Sequence, residues 1–178
     1  VSKGAMLTHS NITSNVMQAY NWIKPVIRDG QECIITALPL YHIFALTANC
    51  LTFMMIGARN VLIANPRDFQ GFVKELSKVR FTFFSGVNTL FNALLNSPDL
   101  AQVSSSGVKL VVAGGMAVQR AVAEKWQQVF HTPLIEGYGL TETSSNDCAT
   151  PLNHAHFSAA VGLPVPSTDI AILDDDGH

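Results

Sequence analysis

Five short apolar runs recur along the chain: Cys33–Leu38, Asn60–Ala64, Phe81–Ser85, Lys109–Ala113 and Leu134–Tyr138. The stretches between them carry apolar residues at helical spacing, as in Phe69, Phe72, Val73, Leu76 and Val79, or Leu90, Phe91, Leu94 and Leu95. Such runs suit strands buried on both faces, and connections of this length suit right-handed crossovers. The expected fold is α/β, a mostly parallel sheet covered by helices. From Thr143 to Pro166 the pattern dissolves, and Thr168–Leu173 alternates like a strand of a second, more antiparallel sheet. The 178 residues thus divide into an α/β subdomain over 1–142 and an irregular remainder, 143–178, that begins a β subdomain.

Local signals set the expected boundaries. Asn11 can cap a helix whose face carries Ile12, Val16, Ala19, Tyr20 and Ile23, and Pro25 marks its end. Ile43–Ile56, nearly apolar over 14 residues, reads as a buried helix closed by Gly57, since a membrane span needs about 20. Asp68 caps the next helix, and Gly114-Gly115 precedes one bearing Val118, Val122, Trp126 and Val129. Val1-Ser2-Lys3-Gly4 reads as loop, and Asp174-Asp175-Asp176-Gly177 as a hairpin turn lacking its second strand. A segment of a longer protein is expected.

Hydrophobic residues make up 48% and charged ones 13%, so some of this apolar surface should meet something else. A formal net charge of −2 carries no footprint for nucleic acid. Three widely spaced cysteines, Cys33, Cys50 and Cys148, suit free thiols in a reducing, cytoplasmic setting. No basic segment with a following apolar core opens the chain, so no secretory signal is expected.

Ligands of open parallel sheets gather beyond the carboxyl ends of the strands. Here those loops are Pro39–His42, Gly86–Asn88, Gly114–Met116 and Gly137–Glu142, with Asn65–Asp68 further out. In the last, two glycines flank Tyr138, and Thr141 and Glu142 follow. Glycine admits close backbone approach, an aromatic ring can face a base, a hydroxyl can donate to phosphate, and a carboxylate suits Mg²⁺. A plain alternative is a glycine turn and a helix N-terminus with Thr141 as cap. His42 can equally bond a helix-end group, and Lys3 can be an ordinary solvated lysine. His154-x-His156 lacks a third ligand at metal spacing and reads as loop.

Lys3-Gly4-Ala5-Met6-Leu7-Thr8-His9 resembles the tail of the phosphate-binding loop of the adenylate-forming superfamily, which includes acyl-CoA synthetases, luciferases and peptide-synthetase adenylation domains. Gly137-Tyr138-Gly139-Leu140-Thr141-Glu142 is similar to that superfamily's Tyr-Gly-x-Thr-Glu motif, and Gly114-Gly115-Met116 to its adenine-side glycines. Ala37–Leu46, Gly86–Leu95 and Val161–Thr168 resemble the bacterial long-chain fatty-acid–CoA ligases. The resemblance implies ATP, Mg²⁺ and coenzyme A acting on a long-chain fatty acid. It implies that Thr141 donates to phosphate, Glu142 holds Mg²⁺ and Lys3 belongs to the loop over the β/γ-phosphates. Tyr138 would stack on adenine in a slot shaped by Gly114, Gly115, Met116, Gly137 and Gly139. His42 would stand between nucleotide and acyl pocket, with Gly86 and Val87 along the acyl channel. Peripheral contact with the inner face of a membrane, and a homo-oligomer, are compatible with this. The glycine-rich half of the phosphate loop and the family's small C-terminal domain with its catalytic lysine lie outside the sequence, so the segment alone is expected to be inactive.

Overall fold

The computed structural model of the chain describes residues 3–154 and 156–177. Val1 and Ser2, part of the expected opening loop, lie outside that range, as do Ala155 and His178. The elements run α1 (His9–Ile23), β1 (Cys33–Thr36), a π-helical turn (Ala45–Leu51) continuing into α2 (Thr52–Met55), β2 (Arg59–Leu62), α3 (Phe69–Lys78), β3 (Phe83–Gly86), α4 (Asn88–Leu95), a 3₁₀ turn (Pro98–Gln102), β4 (Leu110–Ala113), α5 (Arg120–Phe130), β5 (Leu134–Tyr138), β6 (Cys148–Ala149) and β7 (Leu163–Pro164). The strands form one sheet in the order β2-β1-β3-β4-β5-β6-β7. Its first five strands are parallel, as the alternation predicts.

Each parallel strand places neighbouring residues on opposite faces, which explains the unbroken apolar runs. Ile35, Phe84, Val111 and Leu134 join α3, α4 and α5 in the larger core. There Trp126 is wholly buried, stacked 4.2 Å from the Phe130 ring and edge-on to Phe91 at 4.9 Å. Ile34, Phe83, Leu110 and Ile135 face the other way, against Phe53 and Ile56. The chain moves from β1 outward to β2, then back across to β3, β4 and β5. Right-handed crossovers in opposite directions put helices on opposite faces and leave a switch point between β1 and β3.

Several boundaries differ from the sequence expectation. Thr8, not Asn11, caps α1; its side chain accepts the Asn11 N–H while the Asn11 side chain reaches back to the Thr8 N–H. The buried stripe of α5 is Val122, Ala123, Trp126 and Phe130, whereas Val129 is 42% exposed. Because α5 begins at Arg120, Val118 precedes it and does not set its phase. The helix over Ile43–Ile56 is only half-buried, with Met54 and Met55 exposed, and its middle is π-helical. The antiparallel strands are β6 and β7, inside the segment expected to be irregular, and Thr168–Leu173 forms none. β6 pairs with Gly137 and Tyr138, the end of β5 beyond its parallel contact with β4, so the antiparallel part continues the same sheet. Ile170, Ile172 and Leu173 have no strand beside them among the described residues and stay exposed.

Glu32 and Lys109 pair at the end of the sheet opposite the strand-end loops. Burial pushes the Glu32 carboxyl up, but hydrogen bonds from Lys109, Thr82 and the Arg28 backbone outweigh it and hold it below the usual range. A lowered carboxylate contributes stability above its unfolded pKa of about 4.3, and that stability is lost as pH falls through the folded value. Lys109→Met is expected to cost about 2 kcal/mol at pH 7, by stranding a buried charge. Urea melts of the full-length protein should show that difference shrinking as pH falls and Glu32 takes up its proton, and vanishing once pH has passed below its lowered folded value.

Candidate active site

The parallel register brings the loops after β1, β3, β4 and β5 to one edge. There the Gly114 N–H donates to the Gly86 carbonyl at 3.1 Å. A Cβ on Gly114 would stand 3.0 Å from the Phe44 ring and 3.3 Å from the Gly137 carbonyl. Gly115 has φ +76°, which favours glycine, and its nearest side chain is Val87. The Asn88 Oδ1 accepts the Gln119 N–H at 2.9 Å. The Glu136 Oε1 accepts the Val118 N–H at 3.3 Å, and burial pushes its carboxyl up against that bond. Glycine loop, β3 loop and β5 end thus form one corner beside the switch point, with Phe44 against it.

Beyond Tyr138, itself 45% exposed, the chain makes a compact turn and no helix, so Thr141 is not a helix cap. The Leu140 carbonyl accepts the N–H groups of Thr143 and Ser145, and Asp147 N–H returns to the Tyr138 carbonyl. The Thr143 hydroxyl bonds Leu140 and the Asp147 carboxylate. Thr141 and Glu142 are carried exposed on the outside of this turn. Glu142 faces a polar cleft of about 280 Å³, whose other wall is Asn11, Ser14, Asn15 and Gln18 of α1. No group of three or more His, Cys, Asp or Glu gathers as a metal cage among the described residues. One accessible carboxylate in a polar cleft nevertheless fits Mg²⁺, which keeps its waters and takes one or two carboxylates besides phosphate oxygens.

Of the other expected residues, Met116 is half-exposed at the glycine loop. His42 is exposed, and its Nδ1 accepts the Phe44 N–H at 3.3 Å, the helix-end bond that its position allowed. Lys3 is exposed, with no ion pair among the described residues. His154 and His156 flank a small cleft beside Glu136.

An apolar cavity of about 70 Å³ lies between α1, the π-helical turn and the sheet, walled by Trp22, Phe44, Ala48, Phe53, Phe83 and Val112. Phe44 belongs both to this wall and to the Gly114 corner. Neither Gly86 nor Val87 lines it; a Cβ at Gly86 would meet Leu90 and Phe91, on the larger-core side. Asn49 and Ser85 do line it, paired through two bonds of 2.6 and 2.8 Å, with Asn49 also bonded to Thr36. Sequence reasoning missed Phe44, Asn49 and Ser85. The available signal was an amide inside an otherwise apolar helical stretch.

The family model described as AMP-binding enzyme matches residues 1–178. A long-chain-fatty-acid–CoA ligase of Yersinia pestis is 53% identical over 178 residues, covering 100% of this chain and 32% of that protein. One from Bacillus subtilis is 32% identical over 98% of this chain and 31% of its own length. The chain spans about a third of the length of such curated relatives. Among solved structures, a benzoate CoA ligase from Burkholderia xenovorans superposes with a TM-score of 0.85 at 27% identity, over 99% of this chain and 35% of that one. ATP-bound MatB from Rhodopseudomonas palustris gives 0.75 at 28% identity, over 93% and 31%.

Proposed function

The chain belongs to the AMP-binding enzyme family, and on that premise we propose that the full-length protein is a long-chain fatty-acid–CoA ligase. The carboxylate of a fatty acid attacks the α-phosphorus of ATP, forming acyl-adenylate and releasing pyrophosphate. The thiol of coenzyme A then attacks the acyl carbonyl, giving the thioester and AMP.

The observation that supports this best is the shared corner. The glycine loop meets the end of β5 at one strand-end corner, the turn presenting Tyr138, Thr141 and Glu142 follows that strand, and Phe44 stands between the corner and an apolar cavity under the sheet. An anion attacking a polyanion is resisted by charge, so donors and a cation must already stand where charge develops. Tyr138 would offer its exposed ring to adenine beside Gly114, Gly115, Met116, Gly137 and Gly139. Thr141 would donate to a phosphate oxygen, and Lys3 would meet the β/γ-phosphates from the loop before α1. Glu142 would hold Mg²⁺, which when bound supplies charge neutralisation. His42 would stand where carboxylate meets nucleotide, with Val87 and Gly86 beside it. Burying an alkyl chain is worth about 0.8 kcal/mol per CH₂, so an apolar cavity behind the corner favours long acids. At about 70 Å³ it falls short of the 300–1,000 Å³ of a ligand pocket and accepts only part of such a chain.

No helix among the described residues is long and apolar enough to cross a membrane. Access to lipid-dissolved substrate would come from peripheral contact at the inner face. The test is ATP-dependent acyl-CoA formation by the full-length protein with acids from C2 to C18 and benzoate. Activity rising with chain length is expected, and activity confined to acetate or benzoate would overturn the reading. Residues 1–178 alone, which span about a third of the length of the curated relatives, are expected to give background pyrophosphate–ATP exchange with fatty acid.

A further inference from the structure

The turn that carries Glu142 is tied to α1 through one side chain. Asn15 is 3% exposed, on the second turn of α1. Its Nδ2 donates to the Asn146 carbonyl at 2.8 Å and to Gln18 Oε1 at 2.9 Å. Its Oδ1 accepts the Asn146 backbone N–H and the Asn146 side-chain amide, both at 3.0 Å. Two donor and two acceptor positions are all an amide has, so Asn15 is fully satisfied. It grips both backbone groups of Asn146, the residue at the far end of the braced turn 140–147.

The grip has a direction. Asn15 lines the wall of the polar cleft facing Glu142, and α1 starts at His9, just after its Thr8 cap and the segment that holds Lys3. The other bonds of the turn run within 138–147, apart from the Asp147 carbonyl, which accepts the Val165 N–H at 2.9 Å, and none of them reaches α1. We propose that Asn15 is a positioning residue that sets Glu142 against α1, and so fixes the separation of the carboxylate from the Lys3 loop. This rests on the reading of Glu142 as the Mg²⁺ ligand for ATP.

The test uses the full-length protein with Asn15→Ala and Asn15→Asp. The aspartate keeps both acceptor bonds and loses the two donors, so it serves should the alanine variant fail to fold. With ATP present and fatty acid absent, the Mn²⁺ concentration for half-maximal binding, read by electron paramagnetic resonance, is expected to rise about tenfold in Asn15→Ala. It should rise less in Asn15→Asp. Amide exchange in 140–147 should speed up while that of β1 and β4 is unchanged. In turnover, excess Mg²⁺ should recover most of the lost rate, with the fatty-acid KM unmoved. An unchanged Mn²⁺ midpoint, or a rate loss that excess Mg²⁺ does not recover, overturns the assignment. Wild-type protein that binds no Mn²⁺–ATP would instead overturn the functional reading beneath it.

Discussion

Glu142→Gln is expected to slow acyl-adenylate formation by about 10²–10³-fold while leaving the melting temperature unchanged. The size follows from removing one preorganised charge aimed at a developing charge in an ion-dense site. The stability statement follows from the structure, because the Glu142 side chain is exposed and bonds nothing among the described residues. Glutamine keeps the shape and the carbonyl oxygen but loses the negative charge that a hard divalent ion prefers. Single-turnover adenylate formation at saturating ATP, at several Mg²⁺ concentrations, measures it. Glu142→Asp should fall between the two, since the charge remains but its reach is shorter. A loss below about fivefold in Glu142→Gln would remove Glu142 from the site.

Gly139→Ala is expected to be as damaging by a different route. A Cβ at Gly139 would fall inside the van der Waals radius of the Ser145 carbonyl oxygen and against its carbon. Both are backbone, so relief requires the whole turn 140–147 to move, at a cost of about 3 kcal/mol. The displaced turn carries Thr141 and Glu142, so adenylate formation should fall about 10²-fold or more. Gly137→Ala is the matched control. Its added Cβ would sit 3.6 Å from Val112 and 3.8 Å from the Cys148 carbonyl, ordinary contacts. That variant should lose under about 1 kcal/mol by urea melt, set by ordinary packing. Equal losses of adenylate formation in the two, with wild-type urea melts in both, would mean that both glycines serve the ligand and neither serves the turn.

These variants separate two reasons for glycine that a sequence motif cannot separate. Read along the chain, both glycines around Tyr138 look like places for ligand approach. In the fold, Gly139 is small because Ser145, six positions on, folds back over it. The same holds for polar residues in α1. Asn15 lies outside the apolar face read for that helix, and three of its four bonds go to groups of a residue 131 positions away.

Strand placement was legible because it is a local signal. Four or five apolar residues in a row, followed by glycine or proline, describe a strand covered on both faces whatever its neighbours are. Leu134–Tyr138 matches its expected span, and the other four differ by one to three residues at their ends. The family motifs were legible too, since they are contiguous. Their convergence rests on the strand order β2-β1-β3-β4-β5, which follows from how crossovers pack. β6 and β7 were unreadable at two residues each, because pairing with Gly137 and Tyr138 defines them and no run of side chains does.

By itself, then, the sequence determined the α/β class, the run of strands and helices, and the residue types that could handle ATP, since these depend on composition and spacing along the chain. Only the tertiary structure decided that Phe44 stands between the glycine loop and the apolar cavity, that the turn after β5 is no helix, and that Asn15 holds it. Those facts depend on backbone groups far apart in sequence meeting at hydrogen-bond distance, which no local pattern records.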